Sequence, residues 1–480
     1  MRRKIFWIIF LFLFVILPGF FFLQINLTLK SLKNLYAGII TNQPAGFDRD
    51  YQALRKRMKY WGRALSFVDL IPEITGKNGP KTYFILLQNN MELRPTGGFM
   101  GSYAKLKFNN GGMGEVVVQD IYVPDGQITG HVDPPLPIQM AFKQGWFRLR
   151  DANWDPDFPS SAQTVGWFLE KGNEEKPDGI IAINLNLVEE LFAVTGPINL
   201  ADYGLKVDRN NFYQIAQEHA EKDFFAGSTQ KANIMSALVK AMFAKLKDLN
   251  SKQLPALAKI IYKNLQERQI LIYMTGSKIA EVFKKANWDG SMKKLIYSEN
   301  GLNDYFYLVE SNLGANKANL YVERKVEQEI TISNNNSIHK RTKIYFKNES
   351  KYFTPIKPDF WGGDYINFLS VYFPVFAQEI AVKIDGEKIP EKDLFFEKKE
   401  DLNLSGVGFF VTVPAKSEKE VTVEYKMPAN FSSNKKTDYF LTIQKQPGIE
   451  ELPYKLTIAN FVFEKLLRED TEIKAEILYN

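Results

Sequence analysis

The amino terminus carries the feature that most constrains this chain, a long uninterrupted apolar run. Basic residues occupy positions 2–4, and the run from Ile5 to Leu23 contains no charged residue. At about 1.5 Å per residue, a helix of this run would cross a hydrocarbon layer about 30 Å thick. The preceding basic residues predict a cytoplasmic amino terminus. We therefore expect residues 1–23 to form a cytoplasmic tip and a single-pass anchor, in the lipid bilayer through residues 5–23, with the bulk of the chain extracytoplasmic.

A cleaved signal peptide is the alternative to an anchor. The apolar core of a signal peptide usually has about 7–15 residues and ends at small residues that permit cleavage. The run here is longer, and Phe20–Gln24 offers no such small residues. The sequence therefore favours the uncleaved anchor.

The composition excludes several classes of function. The chain has 480 residues, which at about 150 residues per domain allows about three domains. It contains no Cys, so disulfides, thiolate catalysis and Cys-ligated zinc are excluded. Its 61 Lys and Arg against 55 Asp and Glu are too small an excess for a dedicated nucleic-acid binder.

The pattern of apolar residues changes along the chain and predicts a mixed α/β or α+β protein. Helical spacing predicts a helical stalk over residues 24–78. A strand, a hairpin at Asn109–Gly112, a helix, a strand and a helix then predict a central α/β sandwich over residues 79–320. We expect a helical insertion over residues 211–287 and a strand at Tyr305–Val309 in the same sheet.

Short alternating strands separated by turns predict a C-terminal β-sandwich over residues 321–480. The strand signals are Thr331–Ser333, Thr342–Phe346, Ile380–Ile384, Phe409–Val413, Val421–Tyr425, Phe440–Ile443 and Tyr454–Ile458. Such a sandwich is typical of a spacer or a binding module.

The first segment that could carry chemistry is Gln88–Gly101, which leaves the end of a predicted buried strand, where ligands bind in open α/β sheets. Its substrate-binding candidates are Arg94, Thr96, Gly97 and Gly98. Arg94 could bind a phosphate or carboxylate, and the glycines could let backbone amides approach an anion. In the structural alternative, the segment is a glycine turn whose Arg94 pairs with Glu92.

The second segment is Arg148–Pro159, which combines charges with aromatic residues and prolines. Its substrate-binding candidates are Arg148, Arg150 and Asn153, and its catalytic candidates are Asp151, Asp155 and Asp157. Functionally, Asp151 and Asp157 could hold Mg²⁺ or exchange protons beside phosphate-binding arginines. Structurally, the charges could pair with each other, and Asp157 could cap a helix. Asp120 and Asp125 are weaker candidates.

Three stretches together resemble the domain-of-unknown-function family 4012, whose members are exported, membrane-anchored bacterial proteins. They are Asn89–Gly101, Arg150–Pro159, and Pro177–Ile183 with Thr195–Pro197. The resemblance extends over roughly residues 80 to 320. It implies an envelope protein but no particular activity.

A second resemblance is to the LytR-CpsA-Psr phosphotransferase domain. Arg94 stands near that family's first Arg, Ile121–Asp125 near its Pro-Arg-Asp strand, and Gly179–Asn184 at its later apolar strand. The resemblance implies transfer of a glycan from a polyprenyl-pyrophosphate lipid onto the cell wall. The chain departs from the pattern at Ser102, where the family has Asp, and lacks an Arg before Asp125.

The sequence supports two hypotheses. In the first, the α/β unit is a LytR-CpsA-Psr-like enzyme, in which Arg94, Arg148 and Arg150 neutralise phosphates and Asp151 or Asp157 activates the acceptor or holds Mg²⁺. In the second, the α/β unit is a degenerate scaffold, and the β-sandwich binds a surface polymer or a protein. Neither hypothesis involves a nucleic acid.

Overall fold

A computed structural model of the chain describes most of its length. The described residues are 17–215, 229–250, 252–297, 301–333, 337–351, 362–428, 436–459 and 461–478. Most of the predicted anchor, residues 5–16, lies outside them. Within the part that is described, no helix combines the length and hydropathy needed to cross a membrane.

Among the described residues, three α-helices precede the first strand, as the helical spacing of apolar residues predicts. They are α1 (Leu17–Ile40), α2 (Phe47–Arg57) and α3 (Arg63–Ile74). Leu35, Phe47, Leu54 and Val68 form a small core among them. The hydroxyl of Tyr36 in α1 donates to the carbonyl of Leu246 at 2.8 Å, so these helices also contact the unit that follows.

The central unit alternates strands and helices. In chain order it contains β1 (Lys81–Asn89), β2 (Phe99–Asn109), β3 (Gly112–Asp120), α4 (Tyr122–Asp125), α5 (Leu136–Phe142), α6 (Phe158–Lys171), β4 (Gly179–Asn184), α7 (Leu185–Thr195), β5 (Ile198–Leu200), β6 (Leu205–Val207), α8 (Thr229–Lys247), α9 (Leu254–Gln266), β7 (Ile270–Met274) and α10 (Ser277–Lys285). The predicted hairpin is present, with Asn109 opposite Gly112 between β2 and β3.

Five of these strands form one sheet in the order β3-β2-β1-β4-β7, in which only β1 and β4 are parallel. Phe84 and Ile180 pack on one face against α6. Helices α7, α8 and α9 cover part of the opposite face. The mixed α/β architecture of this unit is therefore confirmed.

Two further sheets pack face to face. Their strands are β8 (Gly301–Asn312), β9 (Val322–Ser333), β10 (Ser337–Asn348), β11 (Tyr365–Pro374), β12 (Gln378–Ile384), β13 (Glu387–Lys388), β14 (Phe395–Lys399), β15 (Leu404–Val413), β16 (Ser417–Pro428), β17 (Lys436–Gln444), β18 (Leu452–Ile458), β19 (Phe461–Leu467) and β20 (Thr471–Leu478). One sheet has the order β13-β12-β16-β10-β9-β18-β19 and the other β14-β15-β11-β8-β17-β20. A continuous apolar core lies between them.

Two details differ from the sequence-based expectation. Tyr305–Val309 lies in β8, which pairs with β11 and β17 of the sandwich, so its assignment to the central sheet is wrong. Within the region expected to be a helical insertion, Ile270–Met274 forms β7 and closes one edge of the central sheet. The domain boundaries themselves stay predictions.

Candidate functional site

A deep cavity of about 810 Å³ lies between the central sheet and the helices on one of its faces. Its walls are largely apolar: Ile85, Leu87, Ile181, Ile183 and Ile272 from the sheet, and Leu187, Val188, Leu191, Leu238, Val239, Met242, Phe243, Leu246 and Ile261 from α7, α8 and α9. Ile85 and Leu87 of β1, like Ile181 and Ile183 of β4, line the same cavity because alternate residues of a strand share a face. Ile85 and Leu87 remain partly exposed in a central strand because that face borders the cavity.

One part of the cavity wall is polar and lies at the carboxyl ends of β1 and β4, where Gln88 is the register partner of Asn184. We call this part the polar mouth. Its charged side chains are Glu92, Arg94, Arg150, Asp151 and Lys317, and its neutral polar side chains include Ser102, Tyr122 and Gln144. The structure thus brings Arg94, Arg150 and Asp151 together from the two segments singled out in the sequence.

Arg150 is held at the polar mouth by a buried carboxylate. Its Nη1 lies 2.9 Å from Asp125 Oδ2, and Asp125 Oδ1 accepts a 2.8 Å hydrogen bond from the backbone N–H of Leu149. The Arg150 guanidinium also lies over the ring of Tyr122, 5.2 Å from its centroid. Asp125, a weaker candidate from the sequence, therefore positions Arg150.

Arg94 is only 2 % exposed and is already engaged by protein groups. Its guanidinium donates to the carbonyls of Leu93 and Asn312 and pairs with Glu92 Oε1 at 3.1 Å. The pairing with Glu92 is the contact that the structural alternative predicts. Because Asn312 belongs to β8, Arg94 also joins the central unit to the sandwich.

The two carboxylates of the polar mouth, Glu92 and Asp151, favour the protonated form more than free carboxylates do. Burial raises the pKa of Asp151, and the charges of Arg94 and Arg150 oppose this only in part. Burial also raises the pKa of Glu92, against Arg94 and Lys317. Carboxylates whose pKa is raised by burial beside specific charged partners in a cleft are typical of functional sites.

Thr96, Gly97, Gly98 and Asn153 form a buried structural connection beside the mouth. Asn153 Nδ2 donates to Thr96 Oγ1 at 3.0 Å and to the carbonyl of Gly98 at 2.9 Å. Gly97 has a positive φ of 134°, and Gly448 of the sandwich packs directly against it. These glycines allow other protein atoms to approach the backbone closely. That they bind a ligand stays a prediction.

Arg148, Asp155 and Asp157 lie outside the lining of this cavity. Arg148 lies over the ring of Trp146 at 4.9 Å, and Asp155 Oδ2 pairs with Lys399 of the sandwich at 3.2 Å. Asp157 caps α6, accepting a 3.2 Å hydrogen bond from the N–H of Ser160. This helix cap is the structural alternative that the sequence offers for Asp157.

The proposed Mg²⁺ ligands, Asp151 and Asp157, do not fit a shared ion. Asp151 lines the apolar cavity, whereas Asp157 lines a separate polar cleft. Within the described residues, no three His, Asp or Glu side chains are grouped so that they could hold a metal.

Lys317 and Gln144 are mouth residues that the sequence did not indicate. Gln144 Nε2 lies 3.5 Å from Asp151 Oδ2, and Lys317 follows β8 in a short irregular segment. Neither residue belongs to the two segments singled out for chemistry, and Lys317 stands at the start of Lys317–Arg324, which resembles only the C-terminal boundary of the DUF4012 region, so the folded chain is what places both at the mouth. Ser102, which departs from the LytR-CpsA-Psr pattern in the sequence, also lines the cavity.

Comparison with protein families matches a segment that contributes part of this site. Residues 78–220 match the family DUF4012, a protein family of unknown function. The resemblance found in the sequence is thus confirmed over this segment, which includes both charge-rich segments and the strands β1 to β4. The DUF4012 match ends before α8 and α9, which complete the apolar cavity. Among curated proteins, none matches the chain significantly.

Several solved structures have a weak similarity to the chain. Protein gbs0355 from Streptococcus agalactiae is 13 % identical, with 46 % of this chain and 76 % of that protein covered at a TM-score of 0.28. Lin1025 from Listeria innocua is 13 % identical, with 46 % and 87 % covered at 0.26. The match to lpg2210 from Legionella pneumophila covers 33 % of this chain and about half (56 %) of that protein, with 8 % identity and a TM-score of 0.22. Similarities this low carry no conclusion about fold or function.

Proposed function

We propose that the protein binds an amphipathic lipid with an anionic head, of the class of polyprenyl-pyrophosphate-linked glycans, on the outer side of the cell membrane. The observation that carries this proposal is one cavity with an apolar body and a polar mouth. An isoprenoid chain would bury its apolar surface against α7, α8 and the sheet, at about 25 cal/mol per Å². Arg150 and Lys317 would then face the phosphates.

The apolar anchor supports the same proposal from the sequence. Residues 5–23 would hold the chain at the bilayer from which such a lipid is taken, and the basic residues before them favour an extracytoplasmic location for the rest. The resemblance to LytR-CpsA-Psr domains, which act on this class of lipid, agrees with the shape of the cavity.

Transfer of the glycan onto the cell wall is a second candidate function, and the position of Asp151 favours it. Asp151 is 4 % exposed and lies at the polar mouth, and its raised pKa suits a group that accepts and returns a proton. In this reaction Asp151 would take the proton of an acceptor hydroxyl, while Arg150 would neutralise charge on the phosphate. The competing scaffold hypothesis is favoured by Arg94, whose contacts are made with protein groups.

The binding proposal is tested with farnesyl pyrophosphate and inorganic pyrophosphate as probes of the full chain in nanodiscs. Val188→Trp places a large side chain in the apolar wall, and Val462→Trp is the matched control on an exposed strand of the sandwich. We expect Val188→Trp to weaken farnesyl pyrophosphate binding about tenfold or more, since each lost methylene contact is worth about 0.8 kcal/mol.

Inorganic pyrophosphate should bind both variants as it binds the wild type. If the wild type binds neither probe, the scaffold hypothesis replaces the proposal. If Val188→Trp and Val462→Trp bind farnesyl pyrophosphate equally well, the apolar cavity is not the chain-binding site.

A further inference from the structure

A lysine and an aspartate meet in the core of the β-sandwich, far from water. Asp304 lies on β8 of one sheet and Lys340 on β10 of the facing sheet. Both side chains are 0 % exposed, and Lys340 Nζ lies 2.5 Å from Asp304 Oδ2. The pair therefore connects the two sheets across their shared core.

Aromatic residues enclose this pair. Lys340 Nζ lies 5.8 Å from the ring centroid of Phe306 and 5.9 Å from that of Tyr425. The hydroxyl of Tyr439 donates to Asp304 Oδ2, and that of Tyr425 has no hydrogen-bond partner among the described residues. An ion pair in such a place carries a desolvation cost that its attraction only partly offsets.

We propose that Lys340 and Asp304 condense into an intramolecular amide bond that covalently joins the two sheets. The Nζ–Cγ bond forms, the bond from Cγ to one carboxyl oxygen breaks, and one water molecule leaves. No oxidant, cofactor or second protein is required. The product is neutral, so the buried charges disappear.

The surroundings supply what the condensation needs. Burial lowers the pKa of the Lys340 ammonium, with Asp304 opposing, so a proton can pass to the carboxylate and leave a nucleophilic amine. As the amine adds to Cγ, negative charge develops on the carboxyl oxygen, and the hydroxyl of Tyr439 is placed to stabilise it. The apolar walls then exclude the water that would reverse the reaction.

The test is the intact mass of the purified full chain, measured by mass spectrometry under denaturing conditions. We expect the wild type to be lighter than its sequence by the mass of one water molecule. Lys340→Arg keeps a cation beside Asp304 but lacks the ε-amine that forms the bond. The mass of this variant should therefore equal that of its sequence. Tyr439→Phe should leave a measurable fraction of the chain unlinked.

Tryptic digestion of the wild type locates the bond and does not depend on any variant folding. The expected product is a branched peptide that joins the segment containing Asp304 to the segment containing Lys340, with no cleavage after Lys340. A wild-type mass equal to the sequence overturns the proposal and leaves the pair as a buried ion pair. A mass deficit that persists in Lys340→Arg overturns it as well.

Discussion

Arg150 and Asp125 form the ion pair that organises the polar end of the cavity, with Arg150 Nη1 2.9 Å from Asp125 Oδ2. The two residues stand 25 positions apart, Asp125 at the end of α4 and Arg150 in the charge-rich segment. Both oxygens of Asp125 are used, because the second accepts from the N–H of Leu149. The pair fixes the loop that carries Asp151.

Removing this carboxylate should destabilise the protein. Asp125→Ala leaves the Leu149 N–H and Arg150 without their acceptor, and we expect a loss of about 2 kcal/mol in the free energy of unfolding. Urea denaturation of the full chain in detergent, followed by tryptophan fluorescence, measures the loss. Asp133→Ala, at an exposed position, is the control. Equal stability of the two variants would contradict the role assigned to Asp125.

Gly97 should tolerate no side chain. A Cβ there would lie 2.6 Å from Gln88 Oε1 and closer still to Asn184, within the connection between the mouth and the sandwich. Gly79 has a similar φ of 143° but open space around it, so Gly79→Ala isolates backbone strain from the clash. We expect Gly97→Ala to melt well below Gly79→Ala in a thermal scan. Similar melting temperatures would show that the packing at Gly97 is not restrictive.

Anion binding at the polar mouth should strengthen as the pH falls. The pKa values of Glu92 and Asp151 are already raised, and a bound anion raises them further, so binding takes up protons. An alkyl sulfonate is a suitable probe, because its charge is constant from about pH 5 to about pH 8. Titration calorimetry should show tighter binding at the lower pH, and Asp151→Asn should flatten this dependence. A pH-independent affinity in the wild type would argue against binding at this mouth.

Lys445 should make the stability of the chain depend on pH. It is buried between the two units, where its ammonium donates to the carbonyl of Glu267 at 3.1 Å, and burial lowers its pKa to about 7. Between about pH 7 and its unfolded pKa of about 10.4, the unfolded chain binds more protons than the folded one, so stability rises with pH across this window. The slope approaches about 1.4 kcal/mol per pH unit.

The contribution of Lys445 is isolated by the difference between the wild type and Lys445→Met in denaturation curves at several pH values in that window. The difference should change with pH, whereas the exposed Lys465→Met should behave as the wild type does. A constant difference would mean that Lys445 keeps its proton throughout.

Local signals explain what the sequence could predict. The hairpin at Asn109–Gly112 follows from turn residues between β-forming runs, and the sandwich strands follow from their alternation. The sheet that β8 joins was not predictable, because adjacency in sequence does not fix strand pairing. Strand β7 is five residues long and follows two helices, so its period was hidden.

The site was partly predictable, because local composition marks the segments that carry it. Arg94, Arg150 and Asp151 stand in segments rich in charge and glycine, and they do meet. Asp155 and Asp157 stand in the same loop but point to the sandwich and to α6, which spacing alone cannot show. The apolar cavity was not predictable from the sequence, because its lining residues have the same periodicity as residues of a filled core.

The contact between Arg94 and Asn312 bears on how such chains can be recombined. The guanidinium of a buried residue in the first unit has its acceptor on a strand of the second, and the N–H of Asn312 donates back to the carbonyl of Leu93 at 2.9 Å. A chimera that replaced the sandwich with an unrelated module would remove one acceptor of this buried cation, beside the apolar cavity. A graft that places a carbonyl at that point should keep the junction between the two units intact.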